Sequence, residues 1–214
     1  MELYGRIYSP YMARVVIAAR HKKIKHKIVE PEGGNKSPAF LKMNPLGKMP
    51  VMKDGKTILF ESSVILEYVD AKFKKNRLVP AAAKAGAQVR LISAMFAEYV
   101  QPTIFALFAQ RDPAKRDMAV VEAKKAELDK MLDIVEGMIT AKPYIAGGKL
   151  SHADCYAVPA LMFLHVILRV LGFEKPLGDR KKMSRYMAKV RKDKLLSGVY
   201  AEMETGLRAA VPGL

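Results

Sequence analysis

Two hydrophobic periods divide this chain, and the change between them falls near residue 78. Residues 2–8 (ELYGRIY) form a short β-prone run. Ser9-Pro10 then predicts a helix start, with serine as cap and proline in the first turn; Val15, Val16, Ile17 and Ala19 carry that helix towards His21. Lys25 to Glu30 alternates apolar and polar, predicting a second strand that ends at Pro31-Glu32-Gly33-Gly34. Ser37-Pro38 repeats the start signal for a short helix before Asn44-Pro45. Met49-Pro50 heads a short apolar run, Asp54-Gly55 makes a tight turn, Thr57 to Phe60 is a second run, and Glu61-Ser62 opens an amphipathic helix. By about residue 73 the order is a βαβ unit joined to a ββα unit, a compact α/β layer.

Beyond Leu78-Val79-Pro80 the alternating pattern disappears. Ala81 to Gln110 carries Leu91, Ile92, Met95, Phe96, Tyr99 and Val100 at helical spacing, with a kink predicted at Pro102. Asp112-Pro113 is expected to open a further helix, whose apolar face includes Leu128, Leu132, Val135 and Ile139. Pro143 and Gly147-Gly148 end it. Ser151-His152-Ala153-Asp154 reads as an N-terminal capping box, and the helix to Leu171 is apolar all round, so it should be central. Two more helices are predicted over 179–192 and 195–209.

Composition narrows the class. The chain has 214 residues, half of them hydrophobic, enough for one large or two small globular domains. A single cysteine excludes an internal disulfide framework and a CxxC redox pair, and fits a reducing cytoplasm. Glu2 and Arg6 interrupt any basic-then-apolar leader. The longest uncharged apolar segment, Cys155 to Leu168, is shorter than the ~20 residues a membrane span needs. The net charge of +16 is the anomaly. Lysines cluster at Lys22, Lys23, Lys25 and Lys27 and at Lys72, Lys74 and Lys75, and the densest run is Arg180 to Lys194. No nucleic-acid motif accompanies them, so the expectation is a solvated basic surface that attracts anions.

Candidate chemistry gathers at two helix mouths. Ser9 can be a plain N-cap, or a hydroxyl donating to a thiolate where the helix dipole and free N–H groups favour negative charge. A thiol has a pKa of about 8.5, and such sites lower it, raising the fraction of the nucleophilic form. Tyr4, Tyr8 and Tyr11 are phenols able to do the same. Met49-Pro50 can be a strand start, or can expose Met49's backbone to an added peptide strand. Glu61-Ser62 can be an ordinary cap, or can hold an ammonium on Glu61 and a carboxylate on the Ser62 hydroxyl and helix mouth. Lys36 and Lys48 are either surface charge or partners for a second carboxylate. Cys155 reads as a buried structural thiol, and the spacing of the four histidines suggests no metal site.

In their order and spacing these segments resemble the cytosolic glutathione S-transferase superfamily along essentially the whole chain. SPYMARVVIAA is similar to the N-terminal motif of the serine-type classes, tau and more loosely zeta, in a bacterial setting. NKSPAFLKMNP resembles a tau-class lysine segment. GKMPVMKDGKTILFESSVILEYV resembles the cis-proline and Glu-Ser motifs, and YIAGGKLSHADCYAVPAL the capping box of the helical domain. The resemblance implies an α/β thioredoxin-like N-terminal domain (1–77), a linker (78–84) and an all-α C-terminal domain (85–214), usually in a two-fold homodimer. It implies Ser9 as the thiolate-stabilising residue and Lys36, Lys48, Met49, Pro50, Glu61 and Ser62 as glutathione contacts. Tyr11, Tyr99, Thr103 and Phe108 would line the electrophile pocket. The implied activity is glutathione transfer to a small hydrophobic electrophile or a peroxide, in the cytoplasm, with glutathione as co-substrate and no metal, membrane or nucleic acid. Two rivals share the fold: a non-catalytic binding protein, as in stringent-starvation transcription factors and elongation factor gamma, and a carrier of hydrophobic anions.

Overall fold

In the computed structural model, which describes residues 1–211 and 214, four short strands form one sheet flanked by helices. β1 (Glu2–Tyr4) lies between β2 (Lys27–Val29), parallel to it, and β3 (Val51–Asp54), antiparallel; β4 (Thr57–Phe60) closes the edge beside β3. Leu3 pairs with both Ile28 and Met52, and Met52 with Leu59, so the register stacks apolar side chains on one face. β1 is shorter than its pattern predicts. Gly5 has φ +151, and a Cβ there would lie 3.0 Å from the Met49 Cβ and 3.2 Å from the Met12 sulfur, so the strand must turn where only glycine fits.

α1 (Pro10–His21) buries every residue from Met12 to Ala19, with α2 (Pro38–Met43) and α3 (Ser62–Lys72) completing the first layer. The remainder is helical: α4 (Ala83–Ala94), α5 (Gln101–Ala109), α6 (Met118–Met138), α7 (His152–Val170), α8 (Lys181–Lys192) and α9 (Lys194–Ala210). The expected second domain also covers residues 212–213, which lie outside the described residues. α7 is long and apolar enough to cross a membrane by composition, but it is almost wholly buried against α1, α4, α5 and α9. Its apolarity is that of a core helix.

Three predicted features differ. Pro102 does not simply kink a helix: Met95–Val100 widens into π-helical turns just before it, which is how a helix absorbs a missing N–H donor. Asp112-Pro113 opens no helix; Asp117 is the cap, its carboxylate accepting from the Ala119 and Val120 N–H groups at 2.9 and 3.3 Å. The basic clusters are not all solvated surface. The Lys22 side chain is fully buried, its ammonium 2.7 Å from Asp70 Oδ1 and donating to the carbonyls of Phe73, Lys75 and Asn76 at 2.7, 2.9 and 3.1 Å. Arg180 pairs with Asp129 and Asp133 at 3.2 and 2.8 Å and ties α8 to α6.

Capping at Ser151–Asp154 does more than end a helix. Buried Asp154 accepts from the Ser151 N–H and hydroxyl, the Ile145 N–H and the Tyr186 hydroxyl, all at 2.8–3.0 Å. Burial pushes its carboxyl up and the four donors pull it back. Cys155 beside it is buried and its thiol is pushed well up by desolvation, so it is inert packing.

Candidate active site

Ser9 stands at the N-cap of α1 with extended backbone, φ −68 and ψ 124, and its carbonyl accepts from the Ala13 N–H at 2.9 Å. Its hydroxyl makes no cap hydrogen bond. Ser37 supplies the contrast, since its hydroxyl does accept from the Phe40 N–H at 3.4 Å. At Ser9, therefore, the cap position is filled but the hydroxyl is free for a ligand.

Across the sheet, the Met49-Pro50 bond is cis. Among the described residues, neither the Met49 N–H nor its carbonyl has a hydrogen-bond partner. The segment before it is pinned by Asn35 Nδ2 on the Gly47 carbonyl at 2.6 Å and Asn44 Nδ2 on the Lys48 carbonyl at 2.7 Å. Lys36 folds over this loop, 3.4 Å from the Leu46 carbonyl, while Lys48 is exposed.

Glu61 precedes α3 with φ +69 and ψ 113, a region costing a non-glycine residue ~1–3 kcal/mol. That twist leaves Glu61 exposed and swings the buried Ser62 to the helix mouth, where the Ser62, Ser63 and Val64 N–H groups have no partner among the described residues. A cavity of about 390 Å³ opens here, reaching from Glu61 and Ser62 past Tyr11 to Glu98.

The floor of this cavity is a residue the sequence reading passed over. Arg14 is 3% exposed, touches Ser62 Oγ through Nη1 at 3.5 Å, and lies over the rings of Tyr11 at 4.6 Å and Tyr156 at 4.2 Å. Among the described residues its Nε and Nη2 have no hydrogen-bond partner. Burial lowers the pKa of this guanidinium, and an uncompensated buried cation is a strong anchor for an incoming carboxylate. The signal was present: Arg14 is the only charge in the run Pro10–Ala19. His152, 4% exposed, also lines the cavity, its ring 5.2 Å from Tyr156, and desolvation lowers its pKa to about 4. Tyr156 goes the other way, to about 12, through burial.

The residues expected around a second substrate separate. Tyr11 stacks on Phe105 at 5.8 Å, Phe105 meets Phe163 at 5.5 Å, and Phe108 meets Phe163 at 5.3 Å, an aromatic wall across α1, α5 and α7. Phe105 and Phe163 are additions to the expected set. Tyr99 is exposed and is not among the residues lining the cavity beside Ser62. Thr103 is not brought to the wall: it is buried, and its single hydroxyl proton is shared between the Tyr99 carbonyl at 2.8 Å and the Glu127 carboxylate of α6 at 3.2 Å. The resemblance implied Tyr99, Thr103 and Phe108 together at the pocket; of these three the structure brings only Phe108 to the aromatic wall.

Comparison with known proteins decides the family. The family model for the glutathione S-transferase N-terminal domain matches residues 3–77, and that for the C-terminal domain residues 93–193. Glutathione S-transferase 3 of Zea mays is 33% identical over 165 residues, 72% of this chain and 73% of that protein. The chain belongs to the glutathione S-transferase family. Among other transferases, F13 of Arabidopsis thaliana is 31% identical, covering 74% of this chain and 78% of its own length. The solved maize glutathione S-transferase I, in complex with an atrazine glutathione conjugate, superimposes with TM-score 0.78 at 25% identity, over 95% of this chain and 97% of that one. The thioredoxin-like sheet layer followed by a helical domain is thus the transferase fold, and glutathione is the co-substrate of the family.

Proposed function

We propose that this glutathione transferase is a serine-type enzyme in which Ser9 donates a hydrogen bond to the glutathione thiolate at the N-terminus of α1. The observation that carries the reading is the unspent Ser9 hydroxyl at a helix mouth. In this reading the glutathione backbone pairs with Met49 beside Pro50, and Lys36 and Lys48 attract the glycyl carboxylate. The γ-glutamyl end has its ammonium on Glu61 and its carboxylate on the Ser62 hydroxyl and the free N–H groups of α3, with Arg14 beneath. The thiol proton leaves to solvent; the sulfur lone pair forms the new bond to an electrophilic carbon, and the leaving group departs with its electron pair. With a peroxide the same lone pair attacks oxygen as the O–O bond breaks; the departing alkoxide takes a proton and leaves as the alcohol, and a second glutathione thiol reduces the resulting sulfenic acid to give the disulfide and water. Tyr11, Phe105 and Phe108 favour a small apolar aromatic electrophile, in keeping with the atrazine conjugate held by the maize relative.

We also place the protein in the cytoplasm as a homodimer, and divide it at 1–77, 78–84 and 85–214, a division supported by the two family matches. Phe60, Val64 and Leu91 are large exposed apolar side chains on β4, α3 and α4, and the Glu67–Arg90 pair at 3.4 Å bridges α3 to α4 among them. That face supports pairing of two copies.

The test is Ser9→Ala. Loss of one charge-assisted hydrogen bond is worth about 1–3 kcal/mol, so the bound thiol's pKa should rise by about one to two units and the conjugation rate at neutral pH should fall accordingly. An unchanged thiolate titration would refute the assignment and turn attention to the Tyr11 hydroxyl.

A further inference from the structure

We propose that Gly206 of α9 is a positioning residue for the reaction: lacking a side chain, it lets α9 rest directly on Tyr8 and so fixes where the Ser9 hydroxyl stands at the mouth of α1. The inference rests on the proposed role of Ser9 as donor to the thiolate. It adds to that role a residue of the last helix, 197 positions further along the chain.

The contact is close. A Cβ at residue 206 would lie 3.3 Å from both Cβ and Cδ1 of Tyr8 and 3.7 Å from Cγ2 of Ile7. Carbon atoms prefer about 3.5–4.0 Å, so an added methyl must displace one surface by a few tenths of an ångström. Gly198 supplies the contrast within the same helix, since a Cβ there meets nothing within 4 Å. Glycine inside a helix is less stable than alanine. At 206 the packing gives a reason for it, and at 198 it gives none.

Neither surface yields easily. Met203 and Leu207 beside Gly206 are buried in the core, and Glu202 holds Arg20 of α1 through two bonds at 2.6 and 2.8 Å. On the other side, the Tyr8 hydroxyl accepts from Arg6 Nη1 at 3.3 Å, and Arg6 Nε is held by Glu30 at 2.6 Å. The Ser9 N–H donates to the Arg6 carbonyl at 3.0 Å, tying Ser9 into the same turn. A push on Tyr8 therefore passes across one peptide bond to Ser9. A hydrogen bond weakens steeply as its geometry is lost, so the push reaches the bound sulfur as a change in its acidity.

The experiment compares Gly206→Ala with Gly198→Ala in the full-length protein, titrating the thiol of bound glutathione by ultraviolet absorbance. Alanine favours the helix at both positions, so both variants fold. Gly198→Ala should raise the melting temperature by about 2–4 °C and leave the titration alone. Gly206→Ala should raise the thiol's pKa by about half a unit and slow conjugation below that pKa about threefold. Added to Ser9→Ala, it should move the pKa no further than Ser9→Ala does alone. A wild-type titration in Gly206→Ala, an equal shift in Gly198→Ala, or an equal shift with the Ser9 hydroxyl absent overturns the proposal. Each of these leaves the Ser9 assignment standing when Ser9→Ala alone shifts the titration, whereas an unshifted Ser9→Ala refutes both.

Discussion

Replacing His152 with leucine should remove much of the protein's sensitivity to mild acid. The imidazole is 4% exposed, its Nε2 has no hydrogen-bond partner among the described residues, and Nδ1 lies 3.4 Å from the Ser93 hydroxyl, which is already bonded to the Val89 carbonyl. Desolvation, opposed only in part by Glu67 and Asp70, holds the pKa near 4 against 6.5 in an unfolded chain. The sign follows directly. A base with a depressed folded pKa contributes its full stability above 6.5, and that stability is lost as pH falls towards 4. From about pH 7.5 to 5 linkage makes the loss about 2 kcal/mol, rising to about 3 kcal/mol once pH passes below the folded value. Leucine cannot charge and nearly conserves volume, so His152→Leu should lose about 2 kcal/mol less than wild type between those two pH values. Urea unfolding at both, at fixed protein concentration, reads the difference. Equal pH dependence in the two proteins would refute the reasoning, whatever the absolute stability of the variant.

Other substitutions test other contacts. Lys22→Met strands the buried Asp70 carboxylate and should destabilise by about 3–5 kcal/mol in chemical unfolding. Asp154→Ala frees four buried donors and should cost a comparable amount, read as a lower melting temperature. Arg14→Met should raise the KM for glutathione by about tenfold or more and leave the melting temperature little changed, since removing the cost of burying the cation offsets its ring contacts to Tyr11 and Tyr156 and its single long hydrogen bond to Ser62. Phe105→Ala should raise the KM for an apolar aromatic electrophile by about tenfold, whereas Thr103→Val should leave it alone.

The layer order and both helix mouths were legible because local chemistry governs them. Ser-Pro starts α1 and α2, Asp54-Gly55 turns β3 into β4, and Ser151 and Asp154 open α7. What stayed hidden depends on contacts remote in sequence. Lys22 reads as one of four surface lysines until the chain returns at Asp70 to Asn76 to enclose it. Arg14 reads as a stray charge until Tyr156, 142 residues on, covers it. Glu61's left-handed backbone is dictated by the junction of β4 with α3 and by no preference of glutamate. Thr103 faces α6 because Glu127 is there to receive its hydroxyl.

The Lys22 cluster also constrains how this chain can be recombined. One ammonium gathers four oxygens from residues 70–76, and Asp70 in turn holds the amides of Leu78 and Val79. A chimaera that joins the first half of this protein to another transferase's helices must therefore cross over after Val79. A junction inside 70–79 would separate a cation from its cage, although nothing in the hydrophobic pattern marks that position as forbidden. The amide protons of Leu78 and Val79 should accordingly exchange with solvent only when the whole molecule unfolds, so that the apparent linker is among its slowest-exchanging segments.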